Sequence, residues 1–287
     1  MKPALFDYHS PQTIDEAVAL LASIDGAMIL AGGQSLVPGM NMRLANPTAL
    51  IDIQRIPGLT DIEIADGAIR IGAMVRHRTL ELDTKVHAVQ PLIREVMAHV
   101  AHVPIRNRGT VVGSLCHADA AAEMPLVLVL TGGSVVAQSS SGTRVIPSAE
   151  FFEFHMTTSR RAEEMIVEAR FPVLPEGAGF GFEEFTRRHG DYAIAAVGAI
   201  VQKDKDGRMG DVSLAACGIT SRPVRLDAAE KALKGTRLEA SALEQAMQAA
   251  ADAVTAGDDM HATAAYRKHL VGVLLKRAVQ KAAVRAS

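Results

Sequence analysis

The chain has 287 residues, 48% of them hydrophobic and 22% charged, and its formal net charge is −2. A balance so close to neutral gives no electrostatic grip on nucleic acid or on an anionic membrane surface, which leaves small molecules and proteins as partners. No run of about 18 apolar residues occurs, so membrane insertion is not expected; residues 1–10 lack the basic-then-apolar plan of a secretory signal, so the expected location is cytoplasmic. The length allows a substantial core in one large or two to three small domains.

Residues 4–8 have the pattern of a strand. Thr13 then stands as an N-cap with Glu16 three positions on, a capping box ahead of the apolar run Ala17-Val18-Ala19-Leu20-Leu21. A strand over 27–30, a short helix over 36–44 interrupted by Pro38 and Gly39, and a strand over 49–53 complete a small α/β lobe, residues 1–55. A second lobe, residues 56–176, opens with strands 62–64 and 68–71 joined at Asp66-Gly67, a hairpin signal that makes its sheet antiparallel there. Helical spacing follows over 79–82, 86–100 and about 120–130, then strands over 134–137, 144–146 and 165–171, with a boundary near Pro175 and Gly177. The last unit, residues 177–287, has three long strand candidates, 179–186, 194–203 and 210–219, and closing helices over 238–254 and 263–284.

Two glycine segments carry the functional signal: Ala31-Gly32-Gly33-Gln34-Ser35 and Gly109-Thr110-Val111-Val112-Gly113-Ser114. Glycine reaches backbone angles closed to other residues and lets main-chain N–H groups approach an anion, so two such loops can cradle a pyrophosphate without a cationic side chain. Each segment alone is often no more than a tight turn; the pair favours a dinucleotide. The first segment is not a Gly-x-Gly-x-x-Gly fingerprint and lacks the acidic residue expected beyond a longer helix, which disfavours a Rossmann nicotinamide domain and leaves FAD as the attractive ligand. No Gly-x-Ser-x-Gly elbow, His-Glu-x-x-His or phosphate-loop motif is present, and the ten histidines, His99 with His102 and His117 with Asp119 among them, do not make a metal site. Cys116 and Cys217 have no Cys-x-x-Cys neighbour, so the chain holds no iron–sulfur cluster of its own. His117, Asp119 and Glu123 follow the second segment and could bond ribityl or ring atoms; Glu123 could equally do no more than favour a helix dipole.

Ala31-Gly32-Gly33-Gln34-Ser35, Leu50-Ile51-Asp52-Ile53, Arg106-Asn107-Arg108-Gly109-Thr110 through Leu115-Cys116-His117-Ala118-Asp119, and Tyr266-Arg267 resemble the FAD-binding medium subunit of molybdenum hydroxylases, the family of carbon monoxide and xanthine dehydrogenases. The resemblance runs over nearly the whole chain. It implies an α+β fold: a two-lobed FAD-binding domain of the vanillyl-alcohol-oxidase (PCMH) type, then a C-terminal domain of a three-stranded antiparallel sheet with helices. It further implies that Ala31, Gly32, Gly33, Gln34 and Ser35, with Thr110, Val111, Val112, Gly113 and Ser114, hold the FAD pyrophosphate. Glu123 would bond the flavin's polar groups, His117 would lie between those contacts, and Tyr192 would shield the ring. Partners implied are a large molybdenum-cofactor subunit and a small [2Fe–2S] subunit, with an external electron acceptor. The likeness leans towards complexes serving N-heterocyclic aromatic substrates.

Three positions depart from the family pattern: Val112 replaces a glycine, Cys116 an alanine-like residue and Ala120 a frequent proline. If position 112 requires positive φ, a β-branched residue there costs roughly 1–3 kcal/mol or displaces the loop from the phosphate. Cys116 is read as a small buried hydrophobe rather than a redox-sensitive thiol. A stand-alone flavin oxidase or reductase, and a non-enzymatic nucleotide-binding module, remain the alternatives.

Overall fold

A computed structural model describes residues 2–287. The first lobe contains β1 (Asp7–His9), α1 (Ile14–Ser23), β2 (Ala27–Leu30), α2 (Leu36–Asn41) and β3 (Ala49–Asp52). Its three strands run parallel in the order β1-β3-β2, and β3 is buried along its whole length. The capping box forms as expected: Thr13 Oγ1 accepts from the Glu16 amide at 3.1 Å, and the Glu16 carboxylate accepts from the Gln12 amide at 2.7 Å. Pro38 sits inside the first turn of α2, where no intrahelical donor is lost, so the helix proceeds through it.

The second lobe begins with β4 (Ile62–Ala65) and β5 (Ala68–Gly72), then α3 (His77–Leu82), α4 (Thr84–Val89), α5 (Pro91–Met97), α6 (Val103–Arg106), α7 (Val111–His117) and α8 (Glu123–Thr131). The expected helix over 86–100 is broken in two, because Pro91 has no N–H to continue α4 and instead starts α5, with Gln90 as the joint. Strands β6 (Ser134–Ser139) and β7 (Gly142–Pro147), the short α9 (Ser148–Phe151), the small β8 (Phe152–Phe154) and β9 (Thr157–Thr158) pair, and β10 (Met165–Pro172) follow. The main sheet is antiparallel, in the order β4-β5-β10-β6-β7.

The C-terminal unit is β11 (Gly179–Phe185), β12 (Ala195–Lys203), β13 (Met209–Cys217), β14 (Val224–Arg225), α10 (Asp227–Leu233), α11 (Ala240–Asp252) and α12 (Ala264–Arg285). Its sheet has four strands, not three: Val224 and Arg225 pair with Ala216 and Ala215. A two-residue strand leaves no alternation for a sequence pattern to register.

Two cores meet on that sheet. Ala195, Val197 and Ala216 face α10–α12, while Phe182, Ala196, Ala215 and Cys217 face the other way, into the core shared with the first two lobes. Helix α8 is the inner wall of that shared core. It is buried from Glu123 to Leu130 and packs on β10 as well as on β12 and β13, which explains why it is apolar on every face.

Candidate functional site

The two glycine segments meet. A Cβ placed on Gly32 would lie 2.5 Å from the Arg108 carbonyl oxygen and 2.7 Å from Gly109 Cα, so the first loop rests on the backbone of the second with room for hydrogen alone. Gly33 has φ 71°, a left-handed turn that carries the chain from β2 into α2. Among the described residues, no protein acceptor takes the amides of Gly32, Gly33, Gln34 and Ser35, and Ser35 stands at the N-cap of α2 without a side-chain capping bond. The Gln34 side chain bonds back to the Gly32 carbonyl at 3.3 Å.

The second segment is not a loop. Thr110 is the N-cap of α7, its Oγ1 accepting from the Gly113 amide at 3.1 Å, and residues 111–117 are helical. The Val111 amide donates to Val75 at 3.1 Å and that of Ser114 to the Thr110 carbonyl at 3.0 Å. Val111 and Val112 point into the core, and Val112 has no positive φ. The strain expected of a valine at 112 is therefore absent: a helical position suits an L-residue, and the apolar side chain is buried. Gly113 is likewise helical, and a Cβ there would press on Thr110 Oγ1 at 2.5 Å, against the capping bond itself.

A cavity of about 270 Å³ opens where the segments meet, lined by Ala31, Gly32, Gly33, Gln34, Gln54 and Arg108 among others. A polar chain backs it. Tyr8 donates to Asp52 at 2.6 Å, Asp52 accepts from the Gln54 amide at 3.0 Å, and Arg76 bridges the Gln54 side chain to the Arg108 carbonyl. Arg76 is held below the usual guanidinium range by burial and by the neighbouring Arg108. The expectation of a cradle without cations missed both arginines; Arg106-Asn107-Arg108 beside a glycine was the available signal. Beneath the second segment, Arg106 is buried and bonded to Glu81 at 2.8 Å and to the carbonyls of Val100 and Ala101 at 2.8 and 2.9 Å.

Asp119, Glu123 and Tyr192 lie near one another, with Tyr192 beside Ser35. The left-handed Ala118 ends α7, and Asp119 caps the following turn by accepting from the Ala121 amide at 2.9 Å. Glu123 is 5% exposed, and burial first, then the Glu184 and Asp119 charges, push its carboxyl up to about 8. Tyr192 comes from the C-terminal unit, between β11 and β12, and is half exposed. Partial burial, then Asp119 and Glu123, push its hydroxyl up to about 12, while Ser35 from the first lobe draws it down. Ser35, Glu123 and Tyr192 thus bring all three parts of the chain to one place. His117 is half-buried at the end of α7, and burial lowers its imidazole against the opposing pull of Asp119.

Two expected features fall elsewhere. Arg267, of the Tyr266-Arg267 pair, is buried in the C-terminal unit and bonded to the carbonyls of Gly218 and Ala262 and to Asp259, a structural staple. Cys116 is half-buried in the last turn of α7, and burial pushes its thiol up to about 11.

A family model described as the FAD binding domain in molybdopterin dehydrogenase matches residues 4–174, and one described as the CO dehydrogenase flavoprotein C-terminal domain matches residues 180–282. The 6-hydroxypseudooxynicotine dehydrogenase complex subunit alpha of Paenarthrobacter nicotinovorans is 41% identical, over 100% of this chain and 97% of its own length. The nicotine 6-hydroxylase medium subunit of the same organism is 40% identical, over 99% of this chain and 100% of its own. Among solved structures, a carbon monoxide dehydrogenase from Hydrogenophaga pseudoflava superposes with a TM-score of 0.97 at 33% identity, each chain covered at 100%.

Proposed function

The chain belongs to the FAD-binding medium-subunit family of the molybdenum hydroxylases, and from that premise we propose that it is the electron-relaying flavoprotein of such a complex. Electrons come from the [2Fe–2S] clusters of a small partner subunit and leave to an external acceptor. Hydroxylation takes place on a large molybdenum subunit. The relatives that act on nicotine and 6-hydroxypseudooxynicotine favour an N-heterocyclic aromatic substrate for the complex.

The observation that carries this reading is the contact of Gly32 with Arg108 and Gly109, which makes one cradle from two distant segments. The residues fit FAD. The amides of residues 32–35 have no protein acceptor, and a diphosphate supplies oxygens for them, with the Arg108 side chain at the cavity wall to balance charge. In the first turn of α7, residues 111–114, the Val112 amide alone has no protein acceptor among the described residues and is the one left to join the cradle. Glu123 is buried with a carboxyl held largely protonated near neutral pH, so it donates to a flavin oxygen or nitrogen rather than repelling it. His117 and Tyr192 close the same cleft, Tyr192 offering a ring face and Ser35 and Tyr192 hydroxyls at its rim.

FAD, when bound, supplies the two-electron to one-electron conversion. The protein's part is to hold the diphosphate, bury the ring and set the charge around it, and no catalytic residue is assigned. The test is the visible spectrum of the purified chain, alone and co-expressed with its partners. Flavin absorbance and its bleaching when substrate is added to the complex are expected. Lack of bound flavin in both preparations overturns the reading. Steady substrate turnover by the isolated chain would instead mark a stand-alone oxidase.

A further inference from the structure

Gly109 has close neighbours in two remote segments. One is Gly32, which touches its Cα. The other is His77, at the start of α3: a Cβ on Gly109 would lie 3.0 Å from His77 Nδ1 and 3.5 Å from its Cε1, with the Ile105 carbonyl oxygen at 3.1 Å. Gly109 has no positive φ, so what calls for glycine here is lack of space and not backbone freedom. The chain around His77 also frames the second segment through its backbone. The Val75 carbonyl accepts from the Val111 amide at 3.1 Å, the His77 amide donates to the Gly109 carbonyl at 3.0 Å, and Arg76 forms an isolated antiparallel bridge with Thr110. Residues 75–77 are thus a third segment supporting the cradle, one that no glycine pattern marks.

Helix α3 explains how His77 comes to stand there. His77 and Glu81 are four residues apart and share one face of the helix. Glu81 accepts from Arg106 Nε at 2.8 Å and Nη2 at 3.1 Å, while His77 meets Gly109 three residues further along the same segment. One face of α3 therefore fixes both ends of Arg106-Asn107-Arg108-Gly109. The imidazole itself bonds to nothing: His77 is 5% exposed, and both ring nitrogens are buried without a partner. Burial first, then Arg106, push it down to about 4 against the pull of the Gly109 carbonyl, so the ring is uncharged at neutral pH. That carbonyl is already taken by the His77 amide. An unbonded polar ring is costly to bury, and what this one supplies at Gly109 is volume rather than a hydrogen bond.

We propose that His77 is a positioning residue of the FAD cradle, its ring a shelf that holds Gly109 against Gly32 and so sets the place of Arg108 at the cavity wall. The inference rests on the FAD reading for its ligand. Without the ring, nothing at position 77 keeps the second segment at its present height, and it settles away from the first. The cavity between Gly32 and Arg108 then widens, and the diphosphate must order contacts that the wild-type chain holds ready.

Variants of the full chain test this through the FAD dissociation constant, measured well below the melting temperature. His77→Ala is expected to raise it by about tenfold or more. His77→Leu, which keeps the volume and removes the nitrogens, is expected to stay within about threefold of wild type. Gly109→Ala, whose Cβ presses on the shelf, is expected to raise it by at least about fivefold. The double variant should bind FAD better than the product of the two single losses, since the new Cβ occupies part of the space the ring leaves. Phosphorus resonances of the bound diphosphate should move in His77→Ala and Gly109→Ala but not in His77→Leu; a residue that only stabilised the fold would lower the melting temperature and leave them unmoved. Wild-type affinity in His77→Ala overturns the proposal, as does a loss in His77→Leu equal to that in His77→Ala, or strictly multiplicative losses in the double variant. If His77→Ala does not fold, His77→Val takes its place and should fall between leucine and wild-type-free binding losses of the same series, with wild-type affinity there again overturning the shelf. A wild-type chain that takes up no FAD contradicts the proposed function, while urea unfolding of the same FAD-free variants still decides the contact: destabilisations that add in full overturn it.

Discussion

The two glycine segments look alike in sequence and are built on opposite plans. The first is a turn whose conformation is required of it: Gly33 has positive φ, Gly32 has no space for a side chain, and the amides between them face outward. The second is the capped first turn of α7, ordinary helix, with its valines in the core. One segment is shaped by backbone freedom and the other by packing. A side chain is forbidden at Gly32 by the backbone of a segment remote in sequence, and at Gly113 only by the cap of its own helix, Thr110 Oγ1.

Breaking the support of the second segment has the largest expected effect. Arg106→Ala leaves the part-buried Glu81 with Arg78 alone and the carbonyls of Val100 and Ala101 without their side-chain donor, and is expected to cost roughly 2–4 kcal/mol in chemical unfolding. The Glu123 environment comes next, through pH. Its folded pKa, raised to about 8 from 4.5, means the protonated form is favoured in the folded chain; its stabilising contribution is complete below about pH 4.5 and is lost as pH rises through 8. The FAD-free Glu123→Gln variant should accordingly lose that slope, gaining on wild type steadily from about pH 5 to pH 8 in thermal melts.

Gly32→Ala tests the first segment. A Cβ 2.5 Å from a backbone oxygen forces the two segments apart, which is expected to cost about 1–3 kcal/mol and to reduce FAD retention at least about tenfold by absorbance. The matching change in the second, Thr110→Ala, removes an N-cap worth about 1 kcal/mol, and Thr110→Ser restores it. Val112→Gly should destabilise by about 2–3 kcal/mol through helix propensity and lost burial, without tightening FAD binding. Smallest of all is the Cys116 response: a thiol pushed up to about 11 should react with alkylating reagents at neutral pH far more slowly than a free thiol.

Much of the architecture was legible beforehand because its signals are local. The capping box at Thr13 and Glu16, the Asp66-Gly67 hairpin, the three long C-terminal strands and the closing helices each follow from neighbours within a few residues. The errors have equally plain causes. Helix 86–100 kept its apolar period through Pro91, so periodicity concealed the break, and β14 was too short to show an alternation. Glu123 was visible as a candidate, but Arg76 was not, since it is defined by partners far away in sequence.

The sequence by itself indicated the family, and with it the cofactor, through its resemblance, while most of the elements followed from caps, turns and apolar period, which act over a handful of residues. Only the tertiary structure decided that Gly32 lies against Gly109, that residue 112 is helical and unstrained, and that burial and the remote Glu184 raise Glu123. Those are questions of distance between remote parts of the chain, and steric exclusion and charge repulsion take effect only once packing has set that distance.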